Sequence, residues 1–295
     1  MAAVIALLGA ATTFGARNGQ AAPVIMTLPI ATVAASQAAT PFSYQDYAQT
    51  LKTYVDDRGM VNYRRLKAKP QSLNAFKRSL SRLDRKVYNS WTDAQKIAFW
   101  INAYNGLTLA AIIDHYPIKS RWLASLTYPK NSIRQIKGVW DTLTFTVMGR
   151  KVTLEEIEHK ILRGRFNEPG IHMALVCAAM SCPQLRNEPF EADRLKEQFA
   201  DQAKKFIGGR LRFRMDRAKR IVYLSPILDW FGDDFVKRYT PPSGFAGFNK
   251  AQRATLYYVS LHLNKANAAF LKNQKYKIKY LDYDWSLNEQ KPKKK

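Results

Sequence analysis

The densest apolar patterning in the chain is "SWTDAQKIAFWINAYNGLTLAAIIDHYP", and its few polar positions make it readable. Thr92 and Gln95 have capping-box spacing and Pro117 marks the end, which predicts one long helix. At about 100° per residue, Lys96 and Asp114 share a direction, which is the wet side. Asn105 points away from them, with Asn102 close by at i−3 and Ala98, Leu109 and Ile112 completing that face. Two amides are therefore expected on the most buried side. Asparagine is a modest helix former, so propensity does not account for them. Left unpartnered, each costs about 1–3 kcal/mol. They serve either a satisfied structural network or a ligand-contacting pocket.

Helical spacing recurs at 44–57, 70–83 and 191–207, and helices are expected at 226–238 and 249–271. "DTLTFTVMGRKVTL" predicts a hairpin turning near Gly149 and Arg150. "TLEEIEHKILRGR" predicts a short helix, opened by a second capping box at Thr153 and Glu156. The apolar run 171–177 reads as a buried strand. "RLRFRM" and "RIVYL" form a second hairpin around "DRAK", and "YKIKYLDYDW" is a late strand. No repeat and no linker interrupts this order. The expected fold is a single α+β domain, with an antiparallel sheet or hairpins and segregated helices, over residues 39–285. Residues 286–295 are expected to form a basic, disordered tail.

The first forty residues carry one charged side chain, Arg17. The apolar run "AAPVIMTLPIATVAA" and the small residues after it have the form of a signal peptide ending near residue 38. Pro23 and Pro29 interrupt the run and make it short for a membrane anchor. No later stretch is expected to span a bilayer. The mature part is read as periplasmic or secreted. At about 255 residues it suits one large domain or two small ones.

A net charge of +24 changes the picture of its partners. For an exported chain the available polyanions are anionic envelope surfaces and acidic polysaccharides rather than nucleic acid. Arg210, Arg212 and Arg214 alternate with Leu211, Phe213 and Met215, which predicts one exposed arginine row. Arg217, Lys219 and Arg220 extend that row around the turn as a polyanion-binding surface.

Glu158 falls within the apolar stripe of Leu154, Ile157, Ile161 and Leu162, with His159 on its flank. A carboxylate there must be paired or take up a proton, which makes Glu158 the candidate acid or base. His172 opens the 171–177 run and is its expected partner in proton transfer. Asn102 and Asn105 are then hydrogen-bond donors to developing negative charge, as in hydrolysis or group transfer at an amide or ester. His159 and Ser181 are candidate substrate contacts. Cys177 and Cys182 enclose only "AAMS" before Pro183. In an exported chain they read first as a disulfide, then as a catalytic thiol and its neighbour, and last as a metal clip with His172. No motif for a cofactor or a metal is present.

In order along the chain, "AFWINAYNGLTL", "TLEEIEHKILR", "IHMALVCAAMSCPQL" and "YLSPILDWFGDDF" resemble the signature blocks of the DUF547 family. The resemblance covers most of residues 44–240. Its typical blocks carry the residues found here as Asn102, Asn105, Glu158, His159, His172, Cys177, Ser181, Cys182 and Pro183. It implies no activity, since that family is defined by sequence alone.

Overall fold

A computed structural model describes residues 42–291. The expected signal segment lies outside the described residues. The remainder is the expected α+β fold: helices form about half of it, and the strands are few and short.

The long helix runs Asp93–His115, and both halves of the Thr92–Gln95 capping box are made. Every residue from Ile97 to Ile113 is buried. By length and composition this helix could cross a membrane. Instead it is the axis of the larger hydrophobic cluster. The helices Tyr63–Ala68 and Gln71–Arg82 pack on it, and Gln45–Tyr54 packs on both of those. Phe76 meets Tyr47 there, ring on ring at 4.5 Å.

The hairpin β1 (Phe145–Val147) and β2 (Arg150–Val152) turns through Met148 and Gly149. Both have positive φ, the geometry that matches strand twist. A second, smaller cluster gathers the helix Leu195–Gly208, a three-stranded sheet and the helices between 227 and 273. The sheet pairs β3 (Phe213–Asp216) antiparallel with β4 (Ile221–Leu224). The late strand β5 (Lys277–Tyr280) adds parallel to β4, so the sheet is mixed rather than purely antiparallel. Two expected helices are each broken in two. Phe231 separates Ile227–Trp230 from Gly232–Tyr239, and Asn264 caps a fresh helix, Lys265–Asn273, after Lys250–Ser260.

The run 171–177 is not a strand. Pro169–Met173 forms a 3-10 turn, and the chain continues as loop to Phe190. Ile171 and Ala174 join the larger cluster while Met173 joins the smaller, so this segment is the seam between them. Covered from both sides, it is apolar except at His172, and its pattern has no period to read.

Residues 286–290 are not a free tail. Leu287 pairs antiparallel with Ala179, and Glu289 bridges parallel to Val61. Asn288 is buried, accepts the Tyr63 hydroxyl (2.6 Å) and donates to Gly59 O (3.1 Å). Gly59 has φ +73° and lies so near Leu185 N that a Cβ would sit 2.7 Å from it, so no other residue fits. Residues 59–63 and 287–289 thus meet at the loop that follows the seam.

Candidate functional site

The two asparagines of the long helix are buried as expected, and their amides bond loop backbone. Asn105 donates Nδ2–H to Ala174 O (3.0 Å) and accepts Val176 N–H at Oδ1 (2.9 Å). Asn102 does the same with Phe190, donating to its O (2.8 Å) and accepting its N–H (2.9 Å). An amide side chain reproduces a peptide edge, so each residue fastens loop backbone that has no ladder of its own. Neither residue lines the cleft beside Met180 or the cavity over His172, so the expected role as oxyanion donors finds no support in this arrangement. They are clamps that hold the seam loop on the helix.

Glu158 and His172 do not pair. Glu158 is half-buried on a π-helical stretch, Glu156–Arg163, and accepts the Tyr104 hydroxyl (3.0 Å). Burial, and then the Glu158 charge, hold the Tyr104 phenol well above its usual range, so it stays a donor. Only half of the second capping box forms: Glu156 N–H donates to Thr153 Oγ1 (3.1 Å), while its carboxylate takes Arg150 (2.6 Å).

His172 is buried and stacks on Phe231, with ring centroids 4.3 Å apart. Its Nε2 meets Asp234 Oδ2 (2.7 Å), a carboxylate 62 residues away that also receives Arg163 Nε (2.6 Å). Burial pushes the Asp234 carboxyl up. The hydrogen bonds and charges of His172 and Arg163 outweigh it and hold the group well below the usual carboxylate range. His159, exposed, sits beside Arg163 (2.6 Å) rather than at a pocket with Glu158.

The staple is formed: Cys177 and Cys182 are a disulfide. Cys177 N–H also points at Cys182 Sγ (2.9 Å), and the Tyr283 hydroxyl lies 3.2 Å from both sulfurs. Ser181, expected to touch a substrate, is fully buried. Its hydroxyl accepts Asp284 N–H (2.9 Å), which fixes the loop to the C-terminal stretch.

Arg212 leaves the expected row. It is buried and donates to Cys182 O (Nε, 2.8 Å) and to Met180 O (Nη2, 2.8 Å). Strand β3 begins only at Phe213, so the alternation that put Arg212 outside does not extend to it. Burial lowers its pKa from the usual arginine range, opposed by the nearby Tyr283. Arg210, Arg214, Arg217, Lys219 and Arg220 are exposed. Among them Arg214 lies over the Tyr223 ring at 4.1 Å, and Arg217 donates to the Asn267 side chain.

Beside the stapled loop opens a cleft of ≈ 1050 Å³. Ala179, Met180, Pro183 and Gln184 of the loop form one wall, and Arg212 stands at its root. The other walls bring Arg58, Arg64 and Arg65 from "DDRGMVNYRRL" together with Glu289, Gln290 and Lys291. Arg64 and Arg65 are exposed, and neither forms an ion pair among the described residues. Of the cleft's two carboxylates, Glu289 accepts the Tyr116 hydroxyl and Asp56 faces Arg58. The adjacent arginines of "NYRRL" were the only local sign of this surface. A smaller cavity, ≈ 300 Å³, lies over His172, Asp234 and Arg163.

The class this defines is an α+β domain whose seam loop is clamped by asparagines, stapled by a disulfide and bordered by a basic cleft. Residues 88–207 match the family described as "Protein of unknown function, DUF547". The matched span runs through the long helix, the Glu158 helix and the stapled loop. The cleft residues Arg58, Arg64, Arg65 and Lys291 lie outside it. No curated protein and no solved structure matches the chain.

Proposed function

We propose that the chain binds an anionic, hydroxyl-bearing ligand, the size of a short acidic oligosaccharide, in the cleft walled by the stapled loop. The observation that carries this reading is the lining. Exposed Arg64 and Arg65, with Arg58 and Lys291, stand around ≈ 1050 Å³ beside the Gln184 side-chain amide, while the lining amides Asn62 and Gln290 are taken up by each other and by backbone. Guanidinium forks suit carboxylate or phosphate, and the Gln184 amide suits a hydroxyl. The volume is at the upper end for a single-ligand site. A net charge of +24 adds long-range attraction that salt screens. An exported protein meets such polymers in the cell envelope, the setting we propose for it. Proton transfer between Glu158 and His172 has no comparable support, because each is engaged elsewhere.

The test is fluorescence anisotropy of a labelled oligogalacturonate titrated with the full chain at rising salt. Arg64→Glu combined with Arg65→Glu is expected to weaken binding by about tenfold or more and to flatten the salt dependence. Arg214→Glu with Arg217→Glu, on the hairpin, is expected to change little. The opposite pattern moves the ligand to the hairpin and ends the cleft reading.

A further inference from the structure

Large apolar side chains exposed singly are ordinary on a protein surface; several together are not. Trp122, Leu123 and Leu126 are 77%, 66% and 73% exposed, and they fall within one turn of chain. Trp122 and Leu126 are four residues apart on a single helical turn and share its outer face. Among the described residues the other exposed large apolar side chains, Leu211, Trp230 and Leu261, are less exposed and scattered through the sequence.

The turn is held, not loose. Buried Gln135 accepts Arg121 N–H (2.8 Å) and donates to Ser125 Oγ (3.2 Å) and Pro129 O (3.1 Å). One side chain therefore ties both ends of the turn and presents its apolar face outward.

Its charge setting is one-sided. No acidic residue occurs between Asp114 and Asp141, while Lys119, Arg121, Lys130 and Lys137 are exposed in that stretch. A second copy carrying the same cations, on a chain of net charge +24, is repelled from this patch. An anionic bilayer is attracted to it, and an indole flanked by leucines suits the zone between headgroups and acyl chains.

We infer that the turn around Trp122 is a membrane-docking element. It inserts Trp122, Leu123 and Leu126 into the interface of an anionic phospholipid bilayer while the surrounding lysines and arginine engage the headgroups. This surface is distinct from the cleft and does not depend on the ligand proposed for it.

The experiment uses the full chain with vesicles of phosphatidylcholine alone, or mixed with phosphatidylglycerol, whose acyl chains carry bromine. Tryptophan emission is expected to be quenched by the mixed vesicles and far less by phosphatidylcholine alone. Trp122→Ala is expected to remove most of that quenching. Leu123→Ala with Leu126→Ala is expected to weaken vesicle binding about tenfold. These positions are exposed, so unchanged circular dichroism and thermal midpoints confirm that the fold is intact. Quenching that survives Trp122→Ala overturns the inference. So does a dimer, seen by sedimentation velocity, that the leucine substitutions dissociate, since a second copy then covers the patch.

Discussion

The inner and outer edges of the seam loop make an instructive pair. On the inner edge, Asn102 and Asn105 lie buried against the long helix and exchange two hydrogen bonds each with loop backbone. On the outer edge, Arg212 and the disulfide hold Met180 and Cys182, and beyond them exposed Arg64 and Arg65 line the cleft without an ion pair among the described residues. Both edges are rich in polar groups. A polar group whose hydrogen bonds are already made contributes to folding and has little left for a ligand. A charged group at the rim of a cleft contributes little to folding and keeps its donors. Burial alone therefore does not mark a site, and the decisive question is where each hydrogen bond ends.

The largest effect is expected at the inner edge. Asn105→Leu strands Ala174 O and Val176 N–H in the core and should cost about 2–5 kcal/mol in urea denaturation, with ligand affinity per folded molecule little changed. A loss of affinity without loss of stability would reverse the assignment of the two edges.

Arg212→Met tests the residue that belongs to both. It leaves the Met180 and Cys182 carbonyls without their donor and is expected to cost about 2–3 kcal/mol and to weaken cleft binding as the wall loosens. Reduction of Cys177–Cys182 follows, at about 2 kcal/mol, because the loop it closes is short. Denaturation with and without reductant measures it, and thiol titration of the native chain should find no free thiol.

The smallest effect is expected at Asp234, which meets the seam only at His172. Its carboxyl is held below the usual range, so it binds fewer protons folded than unfolded. The stability this provides is present above the ordinary aspartate pKa of about 4 and is lost as pH falls from there toward the depressed value. Asp234→Asn should cost about 1 kcal/mol at neutral pH and flatten the acid limb of the thermal midpoint against pH.

Local signals carried the fold a long way. The Thr92–Gln95 box starts the long helix, the 100° reading puts both asparagines inside it, and Met148–Gly149 turns the first hairpin where alternation and glycine placed it. The same reading failed where a neighbour overrode it. The run 171–177 is apolar because two cores cover it, not because it alternates in a sheet. Arg212 sits one residue before its strand begins and turns inward to the loop carbonyls.

By itself the sequence determined the helices and hairpins, the burial of the amides, the short cysteine loop and the strong positive charge. Those follow from periodicity, capping and chain chemistry within a few turns. Only the tertiary structure decided partners: Asp234 rather than Glu158 for His172, backbone rather than ligand for the asparagines. It also decided the cleft, where residues 58–65 meet residues 289–291 across most of the chain length. Hydrogen bonds and charge act through space over a few ångströms, and no spacing along the chain encodes which distant residues the packing brings within that reach.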